Sequence, residues 1–393
     1  MSHKKRVINL KFAFNQLLLF VLLGSAFSCR DKKTTMNDIS VSLIPKTVLN
    51  LQPSADNPRN SEGDFIMLKN GKLLFVYTHY THGKGSDHDP AYLASRYSED
   101  VGITWSKEDE VVVANEGEMN VMSVSLLRLQ NGSIALFYLK KNSVLDCVPM
   151  MRISTDEAKS WSAPVSCITD KKGYFVLNND RVIQLEDGRL MFAVAEHPNT
   201  EKGFIQKGNL FCYYSDDNGN TWTSSEMVPN NSEIVTQEPG LIEMNDGRIM
   251  MYIRASGGVQ QLSFSNDRGA TWSFIEPSTI YSPLSPATIE KVPGTKDWVM
   301  VWNNNDGSDP AIKTKRTPLT IAISKDEGKT WGNIKNIATD PDGWYCYTAM
   351  YFTDPQNLIL GHCAGNSAQG TGLAVTNLTT LNWDWIVKPE DKE

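Results

Sequence analysis

Ser215-Asp216-Asp217-Asn218-Gly219-Asn220-Thr221-Trp222 is one copy of a phrase that occurs five times in this 393-residue chain. The other copies run Ser98–Trp105, Ser154–Trp161, Ser265–Trp272 and Ser324–Trp331, so successive copies start 56, 61, 50 and 59 residues apart. The consensus is S-x-D-x-G-x-T-W, with Ala158 and Ser160 as the two substitutions in the second copy. Its chemistry is that of a tight hairpin. The aspartate accepts backbone N–H bonds within the turn, and the glycine supplies a positive φ. The threonine returns the chain to β, and the tryptophan packs under a neighbouring strand. The five aspartates therefore read as structural.

A second turn recurs out of phase with the first, at Asn70-Gly71, Asn131-Gly132, Asp187-Gly188 and Asp246-Gly247. Asn-Gly and Asp-Gly between apolar runs are strong hairpin signals. Degenerate versions follow at Pro293–Lys296 and Asp354–Asn357. The result is six units of roughly 50 to 60 residues, short in strand and nearly without helical periodicity. Such a unit must cover both its faces, and radial closure does so. The expected fold is all-β, a six-bladed β-propeller over residues 46–393. A strand near Val48–Leu51 is expected to complete the final blade, with Leu373–Val375 and Trp383–Trp385 ending it.

Composition narrows the function. With 40% hydrophobic and 21% charged residues, the chain is neither collagen-like, disordered nor a disulfide scaffold. A formal net charge of −7 argues against a nucleic-acid partner, yet an anionic substrate needs only a local cluster of arginines. No metal-ligand spacing is visible, and no cofactor is expected.

The chemistry of a propeller lies on the strands that line its axis. Nine residues before each second-type turn glycine stand Glu62, Ser123, Asn179 and Glu238. Ser285 and Tyr347 hold the comparable places in the last two units. An apolar residue would be the default there.

The five phrases are Asp boxes, and the sequence resembles the sialidase (neuraminidase) superfamily over about residues 55 to 385. The fourth unit, from Gln237-Glu238-Pro239-Gly240 to Tyr252-Ile253-Arg254, resembles the segment carrying that family's catalytic glutamate and second carboxylate-binding arginine. Arg316, eight residues before the box Ser324, matches the third arginine. Cys346-Tyr347-Thr348 resembles the strand bearing the nucleophilic tyrosine, with Tyr345 as the alternative. Two matches depart from the pattern. The first arginine would fall on Ser61, whereas Arg59 stands two residues earlier. The acid/base aspartate belongs to the loop Gly85–Pro90, which offers both Asp87 and Asp89.

The resemblance implies an exo-glycosidase that releases terminal α-linked sialic acid from glycoconjugates with retention. Arg59, Arg254 and Arg316 would clamp the sugar carboxylate, because guanidinium matches carboxylate bidentately. Tyr347 would attack, Glu238 would take its proton, and Asp87 or Asp89 would serve the leaving oxygen. The displaced Arg59 and the unmatched Asn178–Arg181 stretch also suit another acidic sugar, and a non-catalytic glycan-binding propeller is the third reading.

The N-terminus is an address. Lys4, Lys5, Arg6 and Lys11 precede an apolar run within residues 12–24, too short for a confident membrane span. Ala26-Phe27-Ser28-Cys29 follows and resembles a bacterial lipobox. Residues 1–28 are expected to be a lipoprotein signal peptide, with Cys29 lipidated and 29–45 a tether. The mature protein would be a monomer in the cell envelope, lipid-anchored and periplasmic or surface-exposed. Five cysteines would remain, without disulfide or zinc spacing, and read as buried thiols.

Overall fold

The computed structural model describes residues 44–200 and 203–388. The leader, the Cys29 site and residues 29–43 of the tether lie outside the described residues. Within them the chain is all-β, with a single short helix, Trp383–Val387. Four sheets have four antiparallel strands each. The longest sheet joins Asn120–Arg128, Ile134–Ser143 and Asp146–Ser154 to Tyr174–Val176, Leu190–His197 and Asn209–Ser215. Its two halves meet only at the parallel pair Cys147–Tyr174. Lys46–Leu51 pairs with Thr376–Asn382, so the early strand completes the last sheet as its position suggested. Trp383–Trp385 follows the last strand as the start of the short helix, where the Asn382 side chain accepts from Asp384 N–H and turns the chain.

The strand Leu73–Tyr80 shows how sheets stack. Leu74 and Val76 pack against the second sheet, with Leu136 and Tyr138. Leu73, Phe75 and Tyr77 point the other way, towards Ile359 and Leu378 of the last sheet. Period-two alternation thus buries both faces, which is why these strands lack an exposed polar face.

Each Asp box ties its own hairpin. Asp217 accepts from Thr221 N at 2.9 Å and from its hydroxyl at 2.7 Å, while Ser215 Oγ accepts from Gly219 N at 2.8 Å. The same bonds recur at Asp100, Asp156, Asp267 and Asp326. Two successive residues are left-handed, not one: Asn218 at φ 57° and Gly219 at φ 87°.

The edge strands facing the axis carry bulges. Glu62, Ser123, Glu238 and Tyr347 have φ of 54°, 58°, 39° and 52°, each within or beside a register shift. A bulge re-aims its side chain out of the sheet. Holding an L-residue in this region costs roughly 1–2 kcal/mol, so four repeats of it point to function. In the third unit the left-handed residue is Asp180, one beyond the expected Asn179. In the fifth the expected Ser285 precedes the strand Thr288–Lys291 and donates to Asn303 Oδ1 at 2.6 Å.

Gly63 follows the first bulge, and a Cβ there would lie 2.7 Å from the Val76 carbonyl oxygen and 2.4 Å from the Phe75 ring. Gly63→Ala is expected to destabilise the protein by about 1–3 kcal/mol, an overpacking cost. Chemical denaturation checks it; an unchanged midpoint would show that the bulge yields freely.

Candidate active site

The four axial bulges, at Glu62, Ser123, Glu238 and Tyr347, open into one cavity of about 350 Å³ together with Arg254, Arg316 and Asp87. Glu238 and Arg254 arrive from one hairpin. Gln237 faces Arg254 across it, and the bulge between Gln237 and Pro239 swings Glu238 beneath the arginine. The sixteen-residue spacing is therefore the length of that hairpin. Arg254 Nη1 lies 2.6 Å from Glu238 Oε2, and the Tyr347 hydroxyl donates to Glu238 Oε1 at 3.1 Å. Arg254 Nε is buried without a partner.

Arg316 comes from the segment before the strand Leu319–Ser324, and its carbonyl accepts from Tyr345 N at 2.9 Å. That bond fastens it to the tyrosine strand. Its Nη1 donates to Cys346 Sγ at 3.0 Å, and its guanidinium lies 5.4 Å from the Tyr347 ring centroid. Among the described residues no carboxylate pairs with it. Tyr345 packs instead into the apolar cluster behind, away from the cavity wall.

The electrostatics follow from this order. Burial opposes ionisation of Glu238, but the Arg254 charge and hydrogen bond, with Arg316, hold its carboxyl below the usual range. Burial, helped by the Glu238 charge, pushes the Tyr347 phenol well up. At neutral pH the pair is thus a neutral phenol against a carboxylate, which suits a nucleophile with its base beside it.

The two loop aspartates separate. Asp89 Oδ2 accepts from Lys84 N and Ser86 N, both at 2.8 Å, and shapes the loop without entering the cavity wall. Asp87 lines the cavity. Its carbonyl is held by Lys141 Nζ at 2.6 Å and Asn120 Nδ2 at 3.0 Å. Arg59 lies behind the wall, fully buried, with Nη1 2.6 Å from Asp87 Oδ1 and Nη2 3.0 Å from Glu62 Oε1. Its charge is divided between two carboxyls. Asn179 also misses the wall; its Nδ2 bridges the Gly63 and Tyr347 carbonyls at 2.9 and 3.1 Å. It braces two of the cavity's bulges against each other.

Sequence reasoning missed Lys141, buried at the end of its strand with Nζ near the Tyr174 ring. It also missed the aromatic side formed by Tyr174, His197 and Phe204. Nothing in Lys140-Lys141 tells which lysine turns inward. All five cysteines that the leader would leave are buried and free. The described residues hold no cluster of metal-ligating side chains.

Axial bulges, Asp boxes and a cavity pairing arginines with a tyrosine and a glutamate together define a sialidase-like protein. The BNR repeat-like domain matches residues 83–358, and the chain belongs to that family within the sialidase-like superfamily. It is 28% identical over 211 residues to a sialidase of Bacteroides fragilis, an alignment covering 52% of this chain and 37% of that one. A Clostridium perfringens sialidase is 24% identical over 280 residues, covering 63% and 70%. A leech intramolecular trans-sialidase superposes with TM-score 0.68 at 13% identity, over 88% of this chain and 71% of its own.

Proposed function

We propose that the protein is an exo-glycosidase that removes terminal α-linked sialic acid with retention, built as a six-bladed propeller. The nine-stranded sheet then counts as two blades, joined at Cys147–Tyr174. The observation that carries the reading is the chain Tyr347–Glu238–Arg254 beside Arg316, which pairs with no carboxylate among the described residues. A sialic acid bears its carboxylate on the anomeric carbon, so a carboxylate nucleophile would be repelled there and a neutral phenol is suited. Glu238 takes the phenol proton as Tyr347 attacks. Arg254 and Arg316 hold the sugar carboxylate. The leaving oxygen is served by the carboxyl pair on Arg59, of which Asp87 comes from the loop.

One observation favours a second sugar. Arg59 is spent on Glu62 and Asp87, leaving two arginines for the substrate carboxylate. A uronic acid or another acidic unit is the second reading. Lipidation at Cys29 would hold a monomer at the envelope, facing its glycan.

The test is release of a fluorogenic phenol from an α-sialoside, run beside a panel of other acidic-sugar glycosides. Sialoside cleavage with retained anomeric configuration is expected. Cleavage confined to another acidic sugar selects the second reading, and binding without cleavage sinks the enzymatic one.

A further inference from the structure

We propose that Glu62 is the acid/base residue, carrying the proton to the leaving oxygen, with Arg59 and Asp87 as the groups that position it. This rests on the glycosidase reading above and decides which carboxyl of the Arg59 pair moves the proton. Glu62 occupies the same bulge position in its strand as Glu238 and Tyr347 in theirs, and it lines the same cavity. Its side chain is 4% exposed, against 56% for Asp87.

One guanidinium neutralises one carboxylate. Arg59 gives its short bond, 2.6 Å, to Asp87 and the longer, 3.0 Å, to Glu62. A second ionised carboxylate in this buried place would face Asp87 and Glu238 together, which favours the protonated form. Burial lifts the Glu62 carboxyl to about 7, against the pull of Arg59. Partial burial opposes ionisation of Asp87 too, but Arg59 and Lys141 hold it below the usual carboxylate range. Adjacent carboxyls whose environments drive them apart divide into a proton carrier and a permanent anion. The charged or titratable groups facing Glu62 are Arg59, Asp87, Lys141, Glu238, Tyr80, Tyr174 and Cys363.

The step balances. Glu62 gives its proton to the glycosidic oxygen, which keeps the electron pair of the breaking C–O bond. The Tyr347 oxygen bonds to the anomeric carbon, and its proton goes to Glu238. In the return step the Glu62 carboxylate takes a proton from water, whose oxygen displaces Tyr347, and Glu238 returns the phenol proton.

Glu62→Gln and Asp87→Asn are compared in the full chain on an aryl α-sialoside and a sialyl disaccharide. An acidic phenol leaves without help, whereas a sugar does not. Glu62→Gln is expected to lose roughly 10²–10³-fold on the disaccharide and under about tenfold on the aryl substrate, with azide raising the latter rate. The wild-type rate should fall as pH rises through about 7, when Glu62 loses its proton, and the variant should lack this limb. In Asp87→Asn the limb should move to lower pH, because Arg59 then acts on Glu62 alone. Equal losses on both substrates in Glu62→Gln, or a leaving-group-selective loss in Asp87→Asn instead, would overturn the proposal.

A ¹³C NMR titration of glutamate carboxyls gives a readout free of any sugar. One wild-type resonance should titrate near 7 and vanish in Glu62→Gln; its absence overturns the proposal even if sialosides are cleaved. If sialosides are inert, the same pair of leaving groups is placed on the acidic sugar that is cleaved. Failure of the substrate reading and failure of this one then stay distinct.

Discussion

Tyr347→Phe is expected to lower sialoside cleavage by roughly 10³-fold or more, because in the proposed mechanism it deletes the atom that would bond to the anomeric carbon. The phenol is buried and kept neutral, and the carboxylate that would accept its proton lies at 3.1 Å. Phenylalanine keeps the ring against Arg316 and removes one hydrogen bond. The stability cost should therefore be only about 1 kcal/mol, that of a single bond. Turnover and the denaturation midpoint are measured on the same sample. A folded variant within tenfold of the wild type would exclude Tyr347 as nucleophile.

The second large effect falls on Arg316. Arg254 already answers Glu238, whereas Arg316 presents to the cavity a positive charge that pairs with no carboxylate among the described residues. Arg316→Met keeps much of the packing on Trp344 and Tyr347 and removes the charge. Losing a buried charge-assisted contact to a carboxylate costs about 3 kcal/mol, or roughly 10²-fold in kcat/KM. The decisive control is a substrate analogue whose carboxylate is reduced to an alcohol. The wild type should discriminate strongly against it and the variant hardly at all. Undiminished discrimination in Arg316→Met would move the carboxylate site away from this arginine.

These residues were legible to unequal degrees, for reasons that lie in their distance along the chain. Glu238 and Arg254 belong to one hairpin, so their spacing survives as a local pattern around Asp246-Gly247. The Asp boxes are likewise local: every bond of the phrase closes within a few residues of its aspartate. Tyr347 stood at the expected axial offset of its unit, whereas Arg316 was readable only through its resemblance to a known family. Asp87 and Asp89 could not be separated, because one carboxylate turns back into its own loop while the other meets Arg59, 28 residues away.

From the residues alone follow the β-class, the repeat of units and the turn chemistry. Those depend on short-range sterics and on period-two burial, which the order of side chains encodes directly. The tertiary structure decided the charge states and the partners. It set Arg59 between Glu62 and Asp87, turned Lys141 inward, placed the third unit's left-handed residue at Asp180 and made Trp383–Trp385 a helical turn. Each of these depends on which strands of distant sequence meet there, and on how deeply the charges are buried.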